Sequence, residues 1–354
     1  MNKKLIGFGL LAVAGLALAA CQRNTSSSSN SNGTKVAIVT DTGGVDDKSF
    51  NQSAWEGLQA WGKENKLTKD TDYTYFQSDS ESDYATNLDS AVSKGYNLIF
   101  GIGYNLHSAV ESAAKENTKV NYVIVDDQIT GLDNVKSVLF ADNEGAYLAG
   151  IAAAKQTKTN KVGFVGGVES DTITRFETGF KAGVASVNKD IQVDVKYVGS
   201  YNDAAKAKTI AATMYTDGAD VIYHAAGGSG TGVFSQAKEI DEKLAADASE
   251  KVWVIGVDRD QTEEGNYTAS DKTKSNFVLT STIKEVGAVV KDISNNQLKG
   301  KAFDGNKTTT YGLKDGGIDI VTKNLPDATK KAVEEAKQQI IDGKITVPDG
   351  VSTK

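Results

Sequence analysis

Cysteine, histidine, proline and arginine are all scarce. One Cys and two His in 354 residues exclude a disulfide framework and any zinc site built from several Cys or His ligands. Two prolines, Pro326 and Pro348, exclude Pro-rich linkers, and with 35 glycines they suit regular elements joined by tight turns. Arginine occurs only as Arg23, Arg175 and Arg259, so bidentate clamps for phosphate or carboxylate are few. The formal net charge of -7 counts against a nucleic-acid partner, which selects for a basic face. At 39% hydrophobic and 24% charged residues, the chain has the material for folded cores and is long enough for two domains.

Lys3 and Lys4 precede an apolar, small-residue run from Leu5 to Ala20, the layout of a secretory signal, too short for a comfortable membrane span. It ends in Leu18-Ala19-Ala20-Cys21, which resembles a bacterial lipobox with the sole cysteine in the required place. That resemblance implies cleavage before Cys21, acylation of its thiol and a two-chain lipid anchor on the extracytoplasmic face of the cell membrane. Residues 1–20 read as the signal and 21–34 as the acylated Cys with a Ser/Asn tether that cannot bury apolar surface.

From residue 35 short β-branched runs alternate with helical spacing: strands at 35–40, 73–76, 97–100, 120–125, 162–165, 193–198, 221–223 and 252–257, with helices over 51–65, 84–94 and 105–116. This alternation predicts parallel sheets covered on both faces. The spacing is too irregular for eight equal units of a TIM barrel. The expected fold is α/β, with two doubly wound parallel-sheet lobes joined by a multi-crossing hinge. Lobe 1 is expected at 35–141 plus about 281–309, and lobe 2 at 142–280 plus about 310–354, with crossings near Ala141, Thr280 and Thr310. A last helix over 327–341 is expected on lobe 2.

Five strands run into Asp or paired Gly: Asp41, Asp126, Gly166-Gly167, Gly227-Gly228 and Asp258. Ligands of open parallel sheets bind outside the strands' carboxyl ends. Glycine lets backbone approach there and aspartate supplies acceptors. Any one such end is equally explained as a turn or helix cap; five of them suggest one cleft between two lobes. The Asp-rich ends disfavour a phosphate ligand and favour a neutral polyhydroxy one. Gly227–Gly232 lacks the Lys-Ser/Thr ending of a P-loop, and the first strand–helix turn is not GxGxxG. Ser229 has no nucleophile-elbow spacing. A nucleoside hydrolase using Asp46, Asp47 and Asp126 is the enzymatic alternative, although an acidic loop is more simply a solvated turn. A repressor on the same fold needs a helix-turn-helix, and the N-terminus holds a signal and a serine tract instead. His224 ends a strand and His107 opens a helix, neither with an obvious partner.

The segment Asp41-Thr-Gly-Gly-Val-Asp-Asp-Lys-Ser-Phe50-Asn51-Gln-Ser-Ala-Trp55-Glu-Gly-Leu58 resembles the N-terminal motif of the BMP family of basic membrane lipoproteins. Val162–Gly167, Phe176–Gly183, Gly227–Phe234, Ile255–Gln261 and Thr280–Lys284 match further motifs in the family's order, over essentially all of the chain beyond the tether. The resemblance implies a type I periplasmic-binding-protein fold, a purine nucleoside ligand, an ABC importer's permease subunits as partner, a monomer, no cofactor and no catalysis. A receptor for a sugar, amino acid or autoinducer on the same fold is the alternative. It also implies roles. Phe50 and Phe176 sandwich the base, and both sit in poor core settings, so Phe176→Ala is expected to spare the fold. Asp258 and Lys284 meet the ribose, with backbone groups of Gly228. Asp41, Asn51 and Asp126 lie near the base edge, where an Asn can donate and accept. Asp127 is an alternative to Asp126 because the doubled Asp leaves the register open. Tyr104 and His107 line the mouth or simply begin a surface helix.

Overall fold

The computed structural model describes residues 33–351. Cys21, the signal segment and most of the tether lie outside the described residues. Among those residues no helix is long and apolar enough to cross a membrane.

The first half alternates up to its last two strands: β1 (Val36–Thr40), α1 (Phe50–Glu64), β2 (Tyr73–Phe76), α2 (Asp83–Ser93), β3 (Leu98–Ile102), α3 (His107–Glu116), β4 (Asn121–Val125) and β5 (Val135–Phe140). The second half follows with α4 (Asp142–Gln156), β6 (Lys161–Gly166), α5 (Asp171–Val187), β7 (Gln192–Tyr197), α6 (Ala204–Thr216), β8 (Val221–Ala225), α7 (Thr231–Asp241) and β9 (Trp253–Gly256). A small hairpin, β10 (Asn266–Thr268) and β11 (Lys274–Asn276), leads into β12 (Val278–Lys284). The chain ends with α8 (Val286–Leu298), β13 (Lys307–Tyr311), β14 (Ile318–Ile320) and α9 (Asp327–Ile341).

Two six-stranded sheets result, ordered β13-β5-β4-β3-β1-β2 and β14-β12-β9-β8-β6-β7. All pairings are parallel except β12–β14 at one edge. Every residue of β1, β3 and β8 is buried, as expected for strands covered by helices on both faces. In each sheet the strand order reverses once, between β1 and β3 and between β6 and β8. These switch points are where open α/β sheets leave a crevice.

The chain passes between lobes three times. Strand β5 belongs to the first sheet, and α4, which begins after Ala141, packs on α5 of the second lobe. Strand β12 pairs with β9 of the second sheet through Ser281 and with β14 through Lys284, whereas α8 packs on α1. The second crossing therefore falls at Glu285 and not near Thr280, because the threonine-rich run 280–284 is a buried strand of lobe 2. The third follows Tyr311, the last residue of β13, which adds to β5. Strands β5, β13 and β14 were not anticipated: β5 carries Lys136 and Ser137, and β13 is a threonine-rich edge, so neither stands out as an apolar run. Helix α9 packs on α4 through Val333, Ala336 and Ile340.

Helices α4 and α5 cross at backbone distance. A Cβ on Gly150 would lie 2.3 Å from the Phe180 carbonyl oxygen, and one on Gly183 would lie 2.0 Å from that of Tyr147. Helix α4 is apolar nearly all round and eleven of its fifteen residues are buried, which suits its place between α5, α9 and the second sheet.

Candidate functional site

The carboxyl ends of β1, β3, β4, β8, β9 and β12 converge on one cavity between the lobes, of about 540 Å³ with the open space at its mouth included. Asp41, Phe50, Asn51 and Asp126 of lobe 1 line it, facing Phe176, Asp258 and Lys284 of lobe 2. Asp126 and Asp258 follow their strands with φ of 69° and 66°, a left-handed turn that aspartate tolerates better than most residues and that aims each carboxylate inward.

Helix α1 starts at the cavity wall because Asp47 caps it. The Asp47 carboxylate accepts from the backbone N–H groups of Ser49 (2.8 Å), Asn51 (2.9 Å) and Gln52 (3.0 Å) and from Asn51 Nδ2 (3.0 Å). Cap and helix dipole together favour a buried carboxylate here. Asp47 is thus neither a solvated turn residue nor a free acid: its oxygens are committed to the helix start, which fixes Phe50 and Asn51.

Phe50 is half-buried, whereas Phe176 is 4% exposed and packs on Tyr223 with ring centroids 6.4 Å apart. Phe176 is therefore both a core side chain and a cavity wall, contrary to the poor core setting its neighbour Arg175 suggests. Arg175 turns away to Asp142 and Thr172. The Lys284 ammonium stands 5.1 Å from the Phe50 ring centroid, 5.6 Å from that of Phe176 and 5.1 Å from that of Phe140, within cation–π range.

Lys284 is 3% exposed and pairs with Asp126 (2.6 Å) and Asp142 (3.0 Å). Burial works against its charge, but Asp126, Asp142 and Asp258 together outweigh burial and hold its pKa above the ordinary lysine value. Burial raises Asp126, against the pull of Lys284. It pushes Asp258 up to about 7, opposed by Lys284 and by the Ser49 hydroxyl that donates to it, and Asp41 up to about 6, opposed by the Gly43 N–H and Asn51. One ammonium among several buried carboxylates leaves an acceptor-rich, anion-repelling cavity.

Asp127 and Gly228 fall outside the cavity wall. The Asp127 carboxylate turns to His107 Nδ1 (2.8 Å) on a half-exposed surface, while the left-handed turn at Asp126 brings that residue to the cavity wall. His107 is accordingly not a mouth residue. Gly227 reaches the wall; a Cβ on Gly228 would lie 3.1 Å from the Tyr201 carbonyl oxygen and 3.5 Å from Asp47 Cβ, which places Gly228 in the seam between lobes. Residue pattern missed Tyr201, whose hydroxyl meets that of Tyr104 across the mouth (3.0 Å). It also missed Ser49, Thr172 and Asp142. These are non-local partners that no local pattern marks, Asp142 included, since β5 before it does not stand out in the sequence.

The lobes touch outside the cavity as well. Arg259 Nη2 donates to both Glu56 carboxylate oxygens at 2.9 Å, and Gln261 Nε2 donates to the Lys48 carbonyl (2.9 Å). Gln261 is oriented by Val257 N–H and by the buried His224, both on its Oε1. Burial lowers His224 to about 4, so it is a neutral structural donor. Among the described residues no cluster of three or more His, Cys, Asp or Glu suits a metal ion.

Two lobes closed over a mostly apolar, aromatic-walled cavity with a few buried carboxylates and one lysine at facing switch points define a solute-binding protein of the periplasmic-binding type. A crystal structure of an ABC transporter solute-binding protein from Aeropyrum pernix K1 superposes with a TM-score of 0.75 at 26% identity, covering 89% of this chain and 94% of that one. The family model described as Bmp, ABC transporter substrate-binding protein PnrA-like, matches residues 34–350, and the chain belongs to that family. The ABC transporter nucleoside-binding protein BmpA of Lactococcus lactis subsp. cremoris is 56% identical, with 98% of this chain and 99% of that protein aligned. Basic membrane protein A of Borreliella afzelii is 35% identical over 89% of this chain and 91% of its own length. Members of this family are substrate-binding proteins of ABC transporters.

Proposed function

We propose that this protein is a nucleoside receptor, with purine nucleosides preferred, held to the extracytoplasmic membrane face by acylated Cys21 and handing its ligand to an ABC importer's permease without turning it over. The observation that carries the reading is that Phe50 and Phe176, from helices of opposite lobes, line one cavity between the lobes with Asp258 and Lys284 on its wall. A flat base between two rings gains roughly 1–3 kcal/mol per stacked face. A ring on each lobe rewards closure only when both faces are occupied. Asp258 accepts from ribose hydroxyls while Lys284, which donates to Asp126, has hydrogens left to donate to the sugar. The surplus of buried carboxylate favours this neutral, hydroxylated ligand over its phosphorylated forms. Kinship with the Lactococcus protein supports the same ligand class.

Calorimetric titration of ligand-stripped protein tests this. Adenosine or guanosine should bind and raise the Tm by linkage, while ribose and free phosphate should not. A flat response to nucleosides with heat from sugars or amino acids would refute it. Free base appearing at catalytic rates would refute the non-catalytic part. Cys21→Ala should release the protein from the membrane fraction, and retention would refute the anchor.

A further inference from the structure

On the nucleoside reading above, the orientation of Asn51 decides which edge of a base the cavity reads. Asn51 Nδ2 donates one hydrogen to Asp41 Oδ1 (2.7 Å) and the other to Asp47 Oδ2 (3.0 Å). Reversing the amide would set its oxygen against two carboxylate oxygens, so the orientation is fixed by its partners. The side chain cannot both donate and accept toward a ligand, as its residue type alone suggests. It has only Oδ1 to offer, and that atom is buried without a partner.

Asp41 is committed on the same side. Its Oδ1 takes the Gly43 N–H (2.8 Å) as well as Asn51. Gly43 backs this bond closely: a Cβ there would lie 2.9 Å from Asn51 Nδ2 and 3.1 Å from Asp41 Oδ1. Asn51 Oδ1 and Asp41 Oδ2 are left as the groups with capacity to spare, on two residues that line the cavity side by side. Of the nearby donors, Lys284 is drawn to Asp126 and Asp142, and one of the Tyr104 and Tyr201 hydroxyls spends its hydrogen on the other.

We propose that Asn51 and Asp41 form an acceptor pair that selects base edges by their hydrogen-bond donors, so that ionised Asp41 takes 6-oxopurine nucleosides and a 6-aminopurine is taken only when Asp41 carries a proton. A 2-amino-6-oxopurine presents N1–H and the amino group, two donors for two acceptors. A 6-aminopurine presents one donor and the N1 lone pair. That lone pair would face a carboxylate oxygen unless the carboxyl donates to it. A buried acceptor without a donor costs roughly 1–3 kcal/mol, or about 5- to 150-fold in affinity.

The groups facing Asp41 are Asp47 before α1, Asp126 after β4, Asp258 and Lys284 across the cleft, and the hydroxyls of Tyr84, Tyr104 and Tyr201. Its close charged neighbours are acidic, and with burial they carry its titration into the range of an ordinary assay. Asp47 and Asp126 both act on the Asp41 carboxyl, so the affinity ratio reports this acidic cluster and the Asp41→Asn variant isolates the part that Asp41 plays.

The test is calorimetry of the full chain, freed of carried-over ligand, with guanosine, adenosine and 1-methylguanosine between about pH 5 and about pH 8, where neither parent base changes charge. The ratio of adenosine Kd to guanosine Kd should rise with pH, by roughly tenfold per pH unit at its steepest. Asp41→Asn, whose amide donates at every pH, should flatten that profile and shift preference toward adenosine. 1-Methylguanosine should bind at least fivefold more weakly than guanosine, a result that needs no variant. A wild-type ratio that does not change with pH, or 1-methylguanosine binding as well as guanosine, would overturn the proposal while leaving nucleoside binding intact. Absence of binding by every nucleoside would overturn the receptor reading and this one with it.

Discussion

Replacing Lys284 by methionine removes one charge and keeps most of the stem. Lys284 ends β12 immediately before the Glu285 crossing, Asp142 opens α4 immediately after the Ala141 crossing, and Asp126 belongs to lobe 1. The two ion pairs, at 2.6 and 3.0 Å, therefore tie two hinge segments to the cavity wall. With Lys284 3% exposed and Asp142 fully buried, removing the ammonium leaves Asp126 without its cation and Asp142 with Arg175 alone. Breaking a buried pair from one side costs roughly 3–5 kcal/mol, a large share of the ~5–15 kcal/mol that holds a domain together. The pH dependence identifies the cause. A lysine with a raised folded pKa contributes stability that is intact below its unfolded value of about 10.4, so across an assay from about pH 5 to about pH 8.5 the wild-type ammonium is constant. Any change in the difference between the proteins then comes from the stranded carboxylates. Protonation relieves them, so the cost should be largest near pH 8 and shrink as pH falls. Urea denaturation followed by tryptophan fluorescence measures this, Trp55, Trp61 and Trp253 all sitting in or against the main core. A loss below about 1 kcal/mol at neutral pH, or one that does not vary with pH, would refute the charge argument.

Phe176→Leu should weaken nucleoside binding by roughly 1–3 kcal/mol through lost stacking, measured by calorimetry, while retaining the apolar contact with Tyr223; unchanged affinity would remove Phe176 from the site. Phe176→Ala should also lower the Tm, since truncating a buried Phe costs roughly 3–5 kcal/mol. The unliganded protein should gain stability as pH falls from about 7.5 toward about 5.5. Asp258 and Asp41 have folded values of about 7 and about 6 above their unfolded ones, so stability present at low pH is lost as pH rises through them. Asp258→Asn should flatten that profile in urea titrations. Gly183→Ala should destabilise by roughly 1–3 kcal/mol, because its methyl would meet the Tyr147 carbonyl; an unchanged urea midpoint would show that α4 and α5 can separate freely.

Strand–helix alternation and the strand-end residues were legible because both are local. A buried parallel strand must be apolar along its length, as Val36–Thr40 and Leu98–Ile102 are, and the turn after it must carry Gly or Asp if the backbone is to bend into a cleft. Phe50, Asn51, Asp126, Phe176, Asp258 and Lys284 could be picked out on those grounds together with family resemblance. What was not legible depends on partners distant in sequence. Nothing around Asp47 tells a capping carboxylate from a solvated one until its four donors are in place. Asp126 and Asp127 are chemically identical until φ separates them. The Tyr104–Tyr201 contact joins residues 97 apart, and the displaced second crossing reflects a strand whose threonines resemble a linker until β9 and β14 flank them.

A co-crystal structure of the ligand-stripped protein with guanosine tests the central claim most directly. Density for the base between the Phe50 and Phe176 rings, with the ribose hydroxyls on Asp258 and Lys284, is the predicted result. A nucleoside bound elsewhere, or one in the cleft with its base outside the two rings, would contradict the account.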